Sequence, residues 1–206
     1  IQKWSKERVH NVVVMGTGEP LDNYDALLQF LKLLTSEGGL NISQRNVTVS
    51  TCGIVPRIRQ LAEERLQITL ALSLHAPDQE KRKTLMPIAN KYELADVMDA
   101  CRYYFEQTKR RVTFEYSLVK GVNDNMKDAE KLAGLVGPLH GHVNLIPVNP
   151  IKERDYVQSE DQTVRNFKNK LEKSGIVATI RREMGRDIDG ACGQLRKSYI
   201  DMEKER

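Results

Sequence analysis

Short apolar runs rich in Val and Ile alternate along the chain with segments of helical period. Runs at 11–15 (NVVVM), 46–50 (NVTVS), 67–73 (QITLALS), 111–118 (RVTFEYSL) and 142–147 (HVNLIP) predict strands. Between them, residues 23–37 place Tyr24, Leu27, Leu28, Leu31 and Leu34 on one helical stripe, and the Glu-Gly-Gly at 37–39 supplies the stop. Residues 93–108 place Leu94, Val97, Met98, Cys101, Tyr104 and Phe105 on another, so Cys101 is expected to pack in the core. Further helices are predicted at 127–136 and at 160–174, the latter ending at Gly175, and a short strand at 177–183. No internal repeat or low-complexity segment interrupts the order. Strict alternation predicts an α/β chain with right-handed βαβ crossovers, a parallel sheet and outer helices, either doubly wound or curled into a barrel. In both architectures chemistry gathers at the C-terminal ends of the strands.

Composition narrows this only a little. The 206 residues, 40% hydrophobic and 29% charged, suffice for one sizeable domain spanning 1–206. No apolar run reaches membrane-spanning length, and the opening IQKWSKERVH lacks a signal-peptide core, so a soluble chain with no membrane partner is expected. Cys52, Cys101 and Cys192 form no close pair, and their odd number argues against a disulfide scaffold and for a reducing, cytoplasmic compartment. The net charge of +4 permits a polyanionic partner without demanding one. Basic clusters at Lys81-Arg82-Lys83, Lys109-Arg110-Arg111 and Arg181-Arg182 read either as solvated surface or as phosphate contacts. The chain opens without Met and runs directly into a strand, so it is expected to be a piece of something longer.

The unusual residues do fall just after strands. MGTGEPLDN (15–23) follows the first; Gly16 and Gly18 allow close backbone approach, and Glu19 sets a carboxylate at the edge. It lacks the Lys-Ser/Thr of a P-loop and the full GxGxxG, and reads either as a tight strand-to-helix turn or as a site for a cation such as an amino group. STCG (50–53) follows the second strand, with hydroxyls at Ser50 and Thr51 and a thiol at Cys52 that has no metal-ligand partner in sequence. SLHAP (73–77) follows the third, where His75 is either structural or a ligand contact; IPVNP (146–150) ends the fifth, with Asn149 braced by two prolines. Finally GRDIDGACGQL (185–195) holds Cys192 among small and polar residues, an unusual setting for a packing cysteine.

MGTGEPLDN, STCGIVP, LALSLHAP, LIPVNP and DIDGACGQL, in this order and at these separations, resemble the radical S-adenosylmethionine (SAM) RNA methyltransferases, the RlmN group first and its relative Cfr next. The resemblance covers nearly the whole chain, and its last motif is the most specific. It implies a partial (β/α)6 barrel of which this chain carries the later five strands, and adenine-C2 methylation of large-subunit ribosomal RNA and of tRNA in the cytoplasm by a monomer served by an electron donor. By the resemblance, Gly18 and Glu19 hold the methionine amino group of SAM, and Ser50, Ser73, Leu74, His75 and Asn149 contact the cofactor. Cys192, on a loop at 184–195 that Asp187 and Asp189 would fix, is the cysteine methylated during catalysis. Adenine C2 is electrophilic, so in the family a thiolate first takes a methyl from one SAM and a radical generated from a second SAM then activates it. The cysteine must therefore reach both cofactor and flipped-out base, and a loop of small residues gives that reach.

Two parts of the family pattern have no match. The 4Fe–4S cluster is held in the family by CxxxCxxC, three thiolates that leave one iron for SAM, and the three cysteines here are too scattered to imitate it. The second catalytic cysteine and the N-terminal RNA-binding domain also lie upstream in the family. The chain is therefore expected to be inactive alone, with part of a barrel's apolar edge exposed and poor solubility or a compensating contact to follow. Cfr-type C8 methylation and a cluster-free SAM- or RNA-binding module are the alternatives. Other radical SAM enzymes, such as activases, share the barrel but have no use for ACGQL.

Overall fold

Every apolar run named above forms a strand, and the short run near 177 joins them as another. In the computed structural model, which describes residues 4, 6–16, 18–148 and 156–181, the strands are β1 (Val12–Val14), β2 (Val47–Thr51), β3 (Thr69–Ser73), β4 (Thr113–Leu118), β5 (His142–Pro147) and β6 (Val177–Ile180). They form a single sheet in sequential order, with each strand parallel to the next. Sequential parallel order without reversal is what a barrel wall requires, so the doubly wound alternative is set aside. The sheet also curls: Nη2 of Arg181, just beyond β6, lies 3.8 Å from Sδ of Met15, just beyond β1.

The crossovers are α1 (Tyr24–Thr35), α2 (Val55–Glu63), α3 (Gln79–Leu85), α4 (Leu94–Thr108), α5 (Met126–Val136) and α6 (Asp161–Lys173). α1 buries Tyr24, Leu27, Leu31 and Leu34, and α4 buries Leu94, Val97, Met98, Ala100, Cys101 and Tyr104, the stripes that the spacing predicts. α2 and α3 had no clear periodic signal because each is short. α2 carries Pro56 in its first turn, where its fixed φ suits a helix start, and buries only Ile58, Leu61 and Ala62. α3 buries a single residue, Arg82.

Side chains alternate across each strand, and the two faces differ sharply. Val47, Val49, Leu70, Leu72, Phe114, Tyr116, Leu118, Val143 and Leu145 point to the helices and are fully buried. Phe167 of α6 stacks on Tyr116 with ring centroids 5.4 Å apart, a contact worth about 1 kcal/mol beyond its area. The opposite face carries Thr48 and Ser50 of β2, Thr69 and Ser73 of β3, Thr113, Glu115 and Ser117 of β4, His142 and Asn144 of β5 and Thr179 of β6, with Val13, Ala71 and Ile146 as apolar members among them. A fully packed parallel sheet would be apolar on both faces. This one packs its outer face and keeps a hydrophilic wall inside, which suits an interior that holds a polar ligand.

The apolar edge expected at the start of the sheet is present. Val13, Phe30 and Leu33 are exposed beside the free edge of β1, and Val12, Val13, Val14, Met15, Gly18, Pro20 and Phe30 line a cavity of about 280 Å3 there. Among the described residues no helix is long and apolar enough to cross a membrane.

Candidate functional site at the strand ends

The turn after β1 is built around Glu19. Gly18 has φ +75 and Gly16 φ +128, conformations that disfavour any side chain, and a Cβ on either would meet nothing within 4 Å. The glycines therefore leave bare backbone beside open space. Glu19 caps the 3-10 turn Pro20–Asn23: its Oε1 accepts from the Leu21 amide at 3.1 Å, and its Oε2 accepts from the Cys52 amide at 2.7 Å. The carboxylate thus ties the loop after β1 to the loop after β2. Each oxygen keeps a second lone pair, so a ligand ammonium can still be received.

Ser50 lies on the inner face of β2, and Thr51 turns outward, its Oγ1 accepting from the Gly53 amide at 3.1 Å. Cys52 is half-buried beside Glu19; burial first, and the neighbouring carboxylate next, push its thiol up to about 12. Cys101 is fully buried on α4, as its stripe predicts, and burial likewise pushes it up to about 12. Neither is a thiolate at neutral pH. Among the described residues no cluster of three His, Cys, Asp or Glu is arranged to hold a metal.

Ser73 ends β3 on the inner face, opposite Glu115 of β4. Leu74 is wholly buried, and the Glu115 carbonyl accepts from both the Leu74 and His75 amides, at 3.0 and 3.2 Å. His75 adopts a left-handed conformation, φ +55, which costs about 1 kcal/mol or more in a residue with a side chain. Asn123 sustains it. Fully buried in the loop after β4, Asn123 donates from Nδ2 to the carbonyls of His75 and Ser117, both at 2.7 Å, and its Oδ1 accepts from the Val119 amide at 2.8 Å. The His75 ring is fixed as well, because its Nδ1 accepts from the Ser117 amide at 3.0 Å. An amide can only donate, so Nδ1 is unprotonated and the neutral ring carries its proton on Nε2. Enclosure of the ring, then the nearby Arg82 cation, lower its pKa to about 4. His75 is thus both a structurally fixed residue and a neutral donor.

Below it a polar chain crosses the inner wall: Asn144 donates to Glu115 Oε2 at 3.0 Å, and Thr179 Oγ1 lies 3.1 Å from Asn144 Oδ1 and 3.0 Å from His142 Nε2. Burial raises the Glu115 pKa, opposed by the Asn144 bond and by Arg181. Glu115, Asn123 and Asn144 were missed in the sequence. The alternation Thr-Phe-Glu-Tyr-Ser at 113–117 carried the signal for Glu115, while nothing short of the fold marks Asn123.

Gly18, Glu19, Ser50, Ser73, Leu74 and His75 therefore lie at or just beyond the C-terminal ends of three adjacent strands, with the Leu74 side chain buried in the core. Asn149, Cys192 and the loop at 184–195 lie outside the described residues. The basic clusters fare differently: Lys81 pairs with Asp128, Lys83 with Glu80 and Glu93, and Arg82 is buried. Arg110 reaches Thr69 Oγ1 at the start of the strands, away from the site. The first two runs are thus partly absorbed by the fold, and among the described residues Arg181 directly follows a strand.

The family model of the radical SAM superfamily matches residues 1–133. The chain belongs to the radical SAM superfamily. Over 98% of its length it is 67% identical to a protein of Lachnospira eligens named probable dual-specificity RNA methyltransferase RlmN, and over 97% it is 59% identical to one of Clostridium novyi with the same name. It spans 57% and 58% of those proteins' own lengths. A radical SAM methyltransferase of Sphaerobacter thermophilus superposes with a TM-score of 0.89 at 43% identity, covering 93% of this chain and 56% of that one. A domain of a pyruvate-formate lyase-activating enzyme of Bacteroides vulgatus, 18% identical with a TM-score of 0.64, shares the fold alone.

Membership in the radical SAM superfamily implies SAM and a 4Fe–4S cluster as cofactors. The residues fit the first: at the strand ends the glycine turn offers bare backbone beside open space, Glu19 a carboxylate, His75 a neutral imidazole, and Ser50 and Ser73 hydroxyls on the inner wall. They do not fit the second, since Cys52 and Cys101 are protonated, separate and partly or wholly buried. Cluster chemistry has no ligands among these residues.

Proposed function

We propose that this chain supplies the SAM-binding and methyl-carrying part of an RNA methyltransferase that modifies adenine C2 in large-subunit ribosomal RNA and tRNA. The observation that carries this reading is that Glu19 and His75 each stand just beyond a strand of one sheet, each locked by backbone amides, in a chain 67% identical to a named RlmN protein. In this reading Gly18 and Glu19 take the methionine ammonium. Ser50, Ser73 and Leu74 line the cofactor, and His75 donates to it through Nε2. Asn149 is assigned to the cofactor by its place in the motif. When bound, one SAM would supply the transferable methyl group, and a second, reduced by one electron from outside the described residues, would supply the activating radical. Cys192, on the loop 184–195, accepts the methyl on its sulfur and presents it to the base. The whole protein works as a cytoplasmic monomer with an electron donor.

The test is Cys192→Ala in the whole protein, with RNA digested to nucleosides and analysed by mass spectrometry. The wild type should yield 2-methyladenosine, and the variant none, with SAM binding intact. Loss of SAM binding together with methylation would sink the assigned role of Cys192. An 8-methyladenosine product would mean Cfr-type chemistry, and SAM binding without methylation by the wild type would mean a binding module.

A further inference from the structure

Arg82 sits on α3 with none of its surface exposed. Its neighbours in sequence pair with carboxylates, but among the described residues no carboxylate pairs with Arg82. Its Nη2 donates to the Cys52 carbonyl at 2.7 Å, while Nε and Nη1 are buried with no hydrogen-bond partner among the described residues. The guanidinium is wedged under the turn after β2. A Cβ on Gly53 would stand 3.1 Å from Nη2 and 3.3 Å from both Leu72 Cδ1 and Val97 Cγ1, and Gly53 itself has φ +103. A buried cation without a counter-ion is costly, and a well-packed apolar side chain of the same volume is often the more stabilising choice. Stability therefore does not explain Arg82, but its position does.

The residue it grips through the carbonyl, Cys52, is the one whose amide grips Glu19 at 2.7 Å. We infer that Arg82 is a positioning residue for the cofactor site. It fixes the Cys52–Gly53 turn so that the Cys52 amide meets Glu19. This rests on the assignment of Glu19 to the SAM pocket.

The experiment uses the whole protein with Arg82→Met and Arg82→Lys, each alone and combined with Glu19→Ala, reading SAM affinity by calorimetry. Arg82→Met should weaken SAM binding about tenfold and add no further loss to Glu19→Ala, since both act through the same carboxylate. Arg82→Lys keeps the charge but lacks the planar fork, so it should recover part of the affinity. Should Arg82→Met fail to fold, Arg82→Gln, whose side chain ends two bonds short of Nη2, takes its place. Wild-type SAM affinity in the neutral variant overturns the inference, as does a full further loss on top of Glu19→Ala. If the wild type binds no SAM, it is the pocket assignment that fails.

Discussion

Replacing Glu19 with Ala tests whether the carboxylate is a ligand contact alone or also a stitch between two loops. The substitution removes the acceptor for the Leu21 amide, an N-cap bond worth roughly 1 kcal/mol. It also removes the acceptor for the Cys52 amide, a charge-assisted bond at 2.7 Å worth roughly 1.5–3 kcal/mol. The sum is about 3 kcal/mol, which for a chain of 206 residues lowers Tm by roughly 6–12 °C. Glu19→Gln should fall between, because its amide oxygen can serve one of the two N–H groups while its NH2 confronts the other. Scanning calorimetry of the whole protein without cofactor measures the stability part, and a SAM titration of the same samples measures the ligand part. Glu19→Ala should lose on both. A Tm within about 2 °C of wild type would refute the stitch, and unchanged SAM affinity would refute the pocket.

Asn123→Ala removes three hydrogen bonds from a fully buried amide and the support of the His75 backbone, so chemical denaturation should show a loss of about 3 kcal/mol or more. The His75 pKa is depressed on folding, so its contribution is complete above about 6.5 and is lost as pH falls towards about 4. Across that window it should steepen the fall in stability by up to about 1.4 kcal/mol per pH unit, a component that His75→Gln should abolish in pH-dependent denaturation curves. Glu115 has the opposite sign: its folded pKa is raised, so the ionised form burdens the fold. Glu115→Gln should therefore stabilise at pH 8, with the gain vanishing as pH falls through the raised pKa. Gly18→Ala meets no steric obstacle but forces φ +75 on a side chain, and should cost about 1 kcal/mol in thermal melts.

What could be read in the sequence was whatever repeats at a helical or strand period or sits in a motif. α4 is legible because fifteen residues repeat one stripe, and the parallel sheet is legible because its strands and helices alternate. Glu19 and His75 are visible because they stand immediately after strands. Arg82 was misleading for a physical reason: the run Lys-Arg-Lys looks like solvated charge. A helix turns successive residues to different sides, so Lys81 and Lys83 reach carboxylates, the former the buried Asp128, while Arg82 faces under the turn after β2. Asn123 is invisible for another, since its three bonds join loops and strands up to 48 residues apart.

The polar inner wall ties these observations together. Had the strands been apolar on both faces, the interior would close on itself as a packed core, as in barrels filled with layers of side chains. Thr48, Ser50, Ser73, Glu115, Asn144 and Thr179 cannot pack that way without leaving hydroxyls and amides unsatisfied. Part of that demand is met internally by the Glu115–Asn144–Thr179 chain. For Ser50 and Ser73 the remainder falls to water or a ligand, and both lie on strands whose C-terminal loops carry the residues tied to Glu19 and the fixed ring of His75. The same reasoning separates the roles of the two buried cysteines. Cys101 contributes volume to a helix stripe, whereas Cys52 offers the site its backbone, amide to Glu19 and carbonyl to Arg82. Cys52→Ser should therefore leave SAM binding by the whole protein intact, because neither backbone bond is touched. A large loss of affinity would mean that the thiol itself meets the ligand.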